Sequence, residues 1–289
     1  MCYTINAPAK INIGLDVIRK RSDGYHDLKM IMQTINLSDT LEFTVTDENT
    51  DTLTCSNKKL PVDDNNLVIK AVKLMKETYG INASFHINLI KNIPVAAGMA
   101  GGSTDAAACF TALNDMFNLG ISKEELMKLS VKLGADIPYC IMQGTALSEG
   151  IGDILTPLPS FDNVFILIAK PDIDVSTGFV YKNLKLTDDT CHPDIDGIIR
   201  AMHTHNYSEM SSLMGNILET VTIPCYPVIG TLKKLMKNEG AFASLMSGSG
   251  PSVFGIFDTK GQAQTACKAL EKAALAKQLF VTTFENGEG

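Results

Sequence analysis

Residues 9–18, "AKINIGLDVI", alternate apolar and polar side chains with Ile prominent, a period of two that predicts a strand, and "DGYHDL" breaks it with a glycine turn. "DTLEFTVTD" and "DTLTCS" predict further strands joined by polar turns. In "NNLVIKAVKLMKETYG" the period lengthens, with Leu67, Ala71, Leu74 and Met75 on one face and Gly80 as the stop, which predicts a helix. "ASFHINLIKNIP" returns to a strand pattern and leads into a glycine stretch, from which a helix is expected to start at Ser103 or Thr104. The next segment, "SKEELMKLSVKLG", opens with Ser122 and carries Glu125 three residues later, the spacing of a capping box. Two prolines and the apolar run "VFILIA" follow, so a lobe boundary is expected within 156–162, giving segments 1–158 and 159–289. The second segment reads as a strand, three helices, a hairpin over "FASLMSGSGPSVFGIFD", a helix and a closing strand "LFVTTF". No linker is long enough to free the halves, which are expected to share a cleft.

Composition narrows the function classes. A chain of 289 residues with 45% hydrophobic and 20% charged positions is an ordinary globular protein, and a net charge of -7 argues against a nonspecific hold on nucleic acid. The seven cysteines are scattered, with no C-x-x-C pair, which fits a reducing, cytoplasmic compartment. No apolar run approaches a membrane span, and the N-terminus lacks the pattern of a secretory signal.

Three stretches can carry chemistry. In "IPVAAGMAGGSTDAAACF" a strand, glycines and a helix start follow in order, the arrangement in which unpaired N–H groups and the helix dipole hold an anion. It is neither a P-loop nor G-x-G-x-x-G, and a tight turn with close helix packing explains Gly98, Gly101 and Gly102 equally well. Lys10 and Asp136 each sit in apolar surroundings, where unpaired charge is costly, so a structural ion pair between them is one reading. In "KLGADIPYC" Pro138 is expected to keep the preceding helix from resuming. The Gly/Ser turn of "LMSGSGPSVFGIF" either offers backbone N–H groups to a ligand or simply reverses the chain.

Taken together and in this order, "PAKIN", "PVAAGMAGGSTDAA" and "MSGSGPS" resemble the three signature motifs of the GHMP kinase superfamily, and the resemblance covers essentially the whole chain. "DGYH" and "LGADIP" resemble the branch that phosphorylates a cytidine-diphosphate sugar alcohol. The resemblance implies an α+β fold of two lobes, a ribosomal protein S5 domain 2-like N-terminal lobe and a ferredoxin-like C-terminal lobe, with the active site in the cleft. It implies ATP and Mg2+ as cofactors, with the triphosphate wrapped by Pro94, Val95, Ala96, Ala97, Gly98, Met99, Ala100, Gly101, Gly102, Ser103 and Thr104. It also implies Asp136 as the base, Lys10 as its partner, and Asn66 and Lys91 near the adenosine. For the acceptor it implies Asn12 beside Lys10, Tyr25 and His26 at the cytosine edge, and Tyr181 stacked on the base, though a tyrosine capping a lobe interface is the plainer reading of Tyr181.

Met99 and Ala100 stand where relatives often have Leu and Gly, and Thr104 stands for a frequent Ser whose hydroxyl is kept. A small-molecule acceptor is expected, with no nucleic-acid or membrane partner and the choice between monomer and homodimer open. No metal ligands are assigned: His203 and His205 form an H-x-H without a third ligand, Glu149 and Asp153 belong to a turn, and the methionines fill gaps. The competing functions are a kinase of mevalonate or homoserine type and a non-catalytic ATP-binding relative.

Overall fold

The alternating run near the N-terminus is the middle of a longer strand, β1 (Cys2–Lys20), in a computed structural model that describes residues 2–160 and 164–285. Residues 161–163, at the end of the expected boundary region, lie outside the described residues. After the glycine turn comes β2 (His26–Thr46), then β3 (Thr52–Cys55), helix α1 (Leu67–Tyr79) and β4 (Ser84–Ile90). Helices α2 (Gly101–Met116), α3 (Lys123–Ser130) and α4 (Ile137–Met142) precede β5 (Thr145–Gly150), β6 (Ile154–Pro157) and β7 (Phe165–Lys170). Then follow α5 (Thr177–Asn183), α6 (Ile195–His203), α7 (Tyr207–Leu213), α8 (Glu219–Cys225) and α9 (Val228–Asn238). The hairpin β8 (Ala243–Met246) and β9 (Val253–Phe257), helix α10 (Lys260–Ala273) and β10 (Gln278–Thr283) complete the order.

The chain folds into two compact units that interleave along the sequence. The first holds Met1–Ala9, Leu37–Ile93 and Ala100–Gln143, and the second holds Lys10–Asn36, Pro94–Met99 and Gly144–Gly289. In the first unit the far half of β2 pairs antiparallel with β4, from Thr40 against Ile90 to Thr46 against Ser84, and β3 lies parallel to β4. Phe43, Phe85 and Phe110 are fully buried there, with Phe85 edge-on to both Phe43 and Phe117. Helix α2 packs against α1 and α4, and its alanine run allows the close approach.

In the second unit the near half of β2 pairs antiparallel with β5, and β5 with β6. A separate four-stranded sheet has the order β10-β7-β9-β8, with α9 and α10 laid on it. Its core is the fully buried set Ile166, Leu167, Ile168, Phe254 and Phe257, closed by Leu232 and Met236 of α9. Together these elements are the mixed helix-and-sheet architecture that the motifs implied.

Local signals in the sequence explain several boundaries. Asn66 caps α1 by accepting from the Val68 N–H, and Gly80 ends it with a left-handed φ of 67°. Ala71 and Met75 are buried as expected, beside Val68 and Val72, while Leu67 and Leu74 lie half-buried at the edge of the stripe. Ser122 accepts from the Glu125 N–H, half of the anticipated box, whereas Thr259 and Gln262 complete a full one at α10. Pro138 does not end a helix; it lies in the first turn of α4, where its missing N–H is no loss. Among the described residues no helix is long and apolar enough to cross a membrane.

Candidate active site

The helix after the glycine stretch begins at Gly101, two or three residues earlier than expected. Ala100 is its N-cap, in the left-handed region at φ 56°, so Gly101 and Gly102 belong to the first turn of α2. That turn holds no acidic residue, and no side chain caps it. The leading N–H groups of a helix have no intrahelical acceptor, so the start of this 16-residue helix presents donors and a positive dipole end. Val95, Ala96 and Gly102 are exposed, and Ser103 is half-buried. A chain of phosphates fits such a rim, because the backbone supplies donors and no carboxylate repels it.

The loop before the helix is held from one side by the Gly/Ser turn. Ser247 Oγ donates to the Gly98 carbonyl at 2.8 Å. A Cβ on Gly98 would lie 2.1 Å from the Ser247 carbonyl oxygen, and φ at Gly98 is +70°, so only glycine is accommodated. The turn itself is braced from within. Asn216 donates to the carbonyls of Met246 and Gly248 at 2.9 and 2.7 Å, and Thr177 and Ser249 share a hydrogen bond of 2.8 Å. The Gly250–Pro251 peptide is cis. Nothing in the sequence singled out Asn216, a lone polar residue between apolar neighbours.

Lys10 and Asn12 follow one another on the polar side of β1. Both are buried, and Lys10 Nζ donates to Asn12 Oδ1 at 2.7 Å, while Asn12 Nδ2 points at Met30 Sδ, 3.3 Å away. An ammonium carries three donors, so Lys10 keeps capacity for a ligand oxygen beyond Asn12. The Lys10 N–H also holds the Met99 carbonyl at 3.3 Å, tying this strand to the loop. Lys10 belongs to the second unit and Asp136 to the first. Asp136 is the N-cap residue of α4, half-buried, with its side chain making no capping bond.

The "DGYH" turn is built by its own charges. Asp23 accepts the Tyr25 N–H at 3.0 Å, Gly24 supplies φ 90°, and Arg21 bridges Asp23 and Asp27. Tyr25 is 61% exposed and His26 half-buried. The His26 ring lies 5.1 Å from that of Tyr181 on α5, tilted by 38°, so the structure brings the two acceptor candidates together. Burial, aided by the Lys20 charge, lowers the His26 pKa from its ordinary value and favours the neutral ring at pH 7.

Three residues expected at the nucleotide are occupied structurally. Asn66 spends its oxygen on the α1 cap and its amide N–H on the Pro61 carbonyl at 2.7 Å. Thr104 is 1% exposed and donates to the Pro8 carbonyl at 2.7 Å, so its hydroxyl faces the interior of the first unit instead of the rim. Lys91 turns its ammonium inward, where it pairs with Asp39 and with Asp105 at 2.6 Å. The sequence offered no sign of that cluster, because its members are 52 and 14 residues from Lys91. Glu149 and Asp153 close the β5–β6 turn through backbone N–H groups, and among the described residues no three His, Cys, Asp or Glu side chains gather as a metal site. A Mg2+ is commonly bound through the oxygens of substrate phosphates, which the first turn of α2 would hold.

Residues 66–144 match the GHMP kinases N terminal domain, and residues 191–277 match the GHMP kinases C terminal domain. The chain is 51% identical, over 97% of both chains, to a protein of Lachnoclostridium phytofermentans named 4-diphosphocytidyl-2-C-methyl-D-erythritol kinase. A crystal structure of 4-(cytidine 5'-diphospho)-2C-methyl-D-erythritol kinase superposes with a TM-score of 0.83 at 29% identity, covering 99% of this chain and 100% of that one. Homoserine kinase from Cytophaga hutchinsonii shares the fold at a TM-score of 0.79 and 20% identity, covering 97% and 96% of the two chains.

Proposed function

The chain belongs to the GHMP kinases, in the branch of the 4-diphosphocytidyl-2-C-methyl-D-erythritol kinases, and from that membership we infer what its site does. It transfers the terminal phosphate of ATP to the 2-hydroxyl of 4-diphosphocytidyl-2-C-methyl-D-erythritol, in the non-mevalonate route to isoprenoids. The observation that carries the assignment of the ATP site is the uncapped, acid-free first turn of α2 behind a loop that admits only glycine at position 98.

Phosphoryl transfer asks little covalent chemistry of the protein, so positioning and fixed dipoles supply most of the acceleration. The N–H groups of Gly101, Gly102 and Ser103 and the loop backbone from Pro94 to Ala100 hold the phosphates. A Mg2+ ion held with the nucleotide would supply neutralising charge. Asp136 takes the proton from the acceptor hydroxyl. It stands as the N-cap residue of α4 with its side chain making no capping bond, so the carboxylate keeps its oxygens for the acceptor. Family membership gives Lys10 the role of partner to the base, with Asn12 fixing the ammonium. Tyr181 stacks on the cytosine, and neutral His26 reads its edge with Tyr25 at the rim. The free thiols at all seven cysteines support a cytoplasmic enzyme. The family matches fall on either side of residue 158, which supports 1–158 and 159–289 as the two GHMP segments.

One assay tests the assignment: ADP release from ATP and Mg2+ with the cytidyl alcohol, mevalonate and homoserine offered in turn. Release with the cytidyl alcohol alone is expected. Release only with mevalonate or homoserine would move the chain to another branch, and none with any acceptor would make it a non-catalytic relative.

A further inference from the structure

The most heavily charged buried cluster in the first unit takes no part in the chemistry above. Lys91 Nζ is shared by Asp39 and Asp105, and the three side chains are 5%, 0% and 4% exposed. Two carboxylates against one ammonium is an expensive choice for a core, since each buried ion forfeits its hydration. Burial first, and the nearby Asp39 charge next in the same direction, push the Asp105 carboxyl up to about 8, against the pull of Lys91. A proton retained on Asp105 leaves the cluster neutral.

Where the cluster attaches to the backbone indicates its use. Asp39 Oδ1 accepts the N–H groups of Asn92 and Ile93, at 2.6 and 2.8 Å, the last residues before the glycine loop. Lys91 reaches the other end of that loop through Asp105 on α2 and the Gly101 carbonyl at 3.5 Å. The gap between the two ends is tight, because a Cβ on Gly101 would lie 3.3 Å from Ile93 Cγ2 and 3.4 Å from Lys91 Nζ. One cluster thus grips the chain immediately before and immediately after the loop.

We propose that Asp39, Lys91 and Asp105 are positioning residues for ATP, a clamp that sets the distance between the two ends of the glycine loop and thereby the aim of the first N–H groups of α2. The proposal rests on the reading that the phosphates sit at those N–H groups. An apolar core would hold α2 in place with comparable stability. A clamp of charged hydrogen bonds adds direction, fixing the angle at which the helix start faces the loop.

Asp105→Leu tests it, because leucine has the same branched shape, cuts the link from Lys91 to α2 and leaves a neutral Lys91–Asp39 pair. The purified enzyme is expected to melt at the same temperature as the wild type or higher, with KM for ATP raised about ten-fold and KM for the cytidyl alcohol within two-fold. Asp39→Asn, which keeps an oxygen for the two backbone N–H groups but loses the charge facing Lys91, is expected to shift KM for ATP in the same direction. Gly102→Ala is the control for the underlying reading. Its Cβ meets only Leu67 Cδ1 at 3.7 Å, so it folds, yet the methyl occupies the phosphate rim and should raise KM for ATP. If Gly102→Ala raises KM for ATP while Asp105→Leu and Asp39→Asn leave it within two-fold, the clamp is wrong. If Gly102→Ala also leaves it unchanged, the phosphates bind elsewhere. Loss of the fold in both aspartate variants would make the cluster a core support and overturn its role in positioning.

Discussion

Gly98 shows how one residue can be read correctly for an incomplete reason. The sequence justified glycine there by a phosphate or by a tight turn. The structure gives a third cause, the Ser247 carbonyl standing where a Cβ would be. Gly98→Ala combines that clash with a left-handed φ and should cost roughly 2–4 kcal/mol, seen as a melting midpoint lower by roughly 5–15 °C. Asp136→Asn leaves the fold alone and should lower kcat by about 10²- to 10⁴-fold with KM for ATP within a few-fold. A variant turning over within a few-fold of wild type would remove Asp136 from the base role. Tyr181→Ala should raise KM for the cytidyl alcohol by roughly ten- to hundred-fold through lost stacking, while Tyr181→Phe retains the ring and stays near wild type. An alanine variant with unchanged KM would remove Tyr181 from the stacking role. The sequence could single out Lys10, Asn12 and His26 as candidates because each belongs to a short run with a recognisable pattern. Asp39, Asp105 and Asn216 could not be singled out, since a buried polar group becomes visible only when partners distant in sequence meet it.

Among elements, those with both a period and a terminator were legible, such as α1 between Asn66 and Gly80 and the β8–β9 hairpin around its Gly/Ser turn. The short helices α4, α5 and α8 were missed. Six or seven residues cover at most two turns, too few for a 3.6-residue repeat to show, and Pro138 reads as a break. The start of α2 was misplaced because glycine is a poor helix former, yet Gly101 and Gly102 are helical where a side chain would crowd Ile93 or cover the rim. Ala100 bears the conformational cost of that early start. A non-glycine residue in the left-handed region loses roughly 1–2 kcal/mol, of which glycine would recover part. Ala100→Gly should therefore raise the melting midpoint by roughly 1–2 °C, measured by calorimetry. A drop in midpoint would mean that the stiffer residue stabilises the loop more than it strains it.

At the scale of the whole molecule, stability should carry the signature of the buried carboxyl at Asp105. Its folded-state proton affinity exceeds that of the unfolded chain, so its contribution is complete below the ordinary carboxylate range and is lost as pH rises from about 4 to about 8. Relative to Asp105→Leu, the wild type should thus lose melting temperature across that window and change little above it. A gap independent of pH would show that Asp105 is ionised throughout. The two compact units were the least legible feature, because their segments alternate along the chain and no composition shift marks the exchange. That alternation has a consequence for synthesis. Residues Lys10–Asn36 leave the ribosome early, but their partners in the second unit come much later: β5, the bridge from Leu15 to Asn216, and the bridge from Ile35 to Phe284. At roughly 5–20 residues per second, the first long strands wait tens of seconds for their last neighbours. The nascent chain can pair β1 with β2 at once, but this hairpin keeps an uncovered apolar edge through much of elongation, so the yield of folded enzyme in the cell depends on whatever shields it until the C-terminal strands arrive.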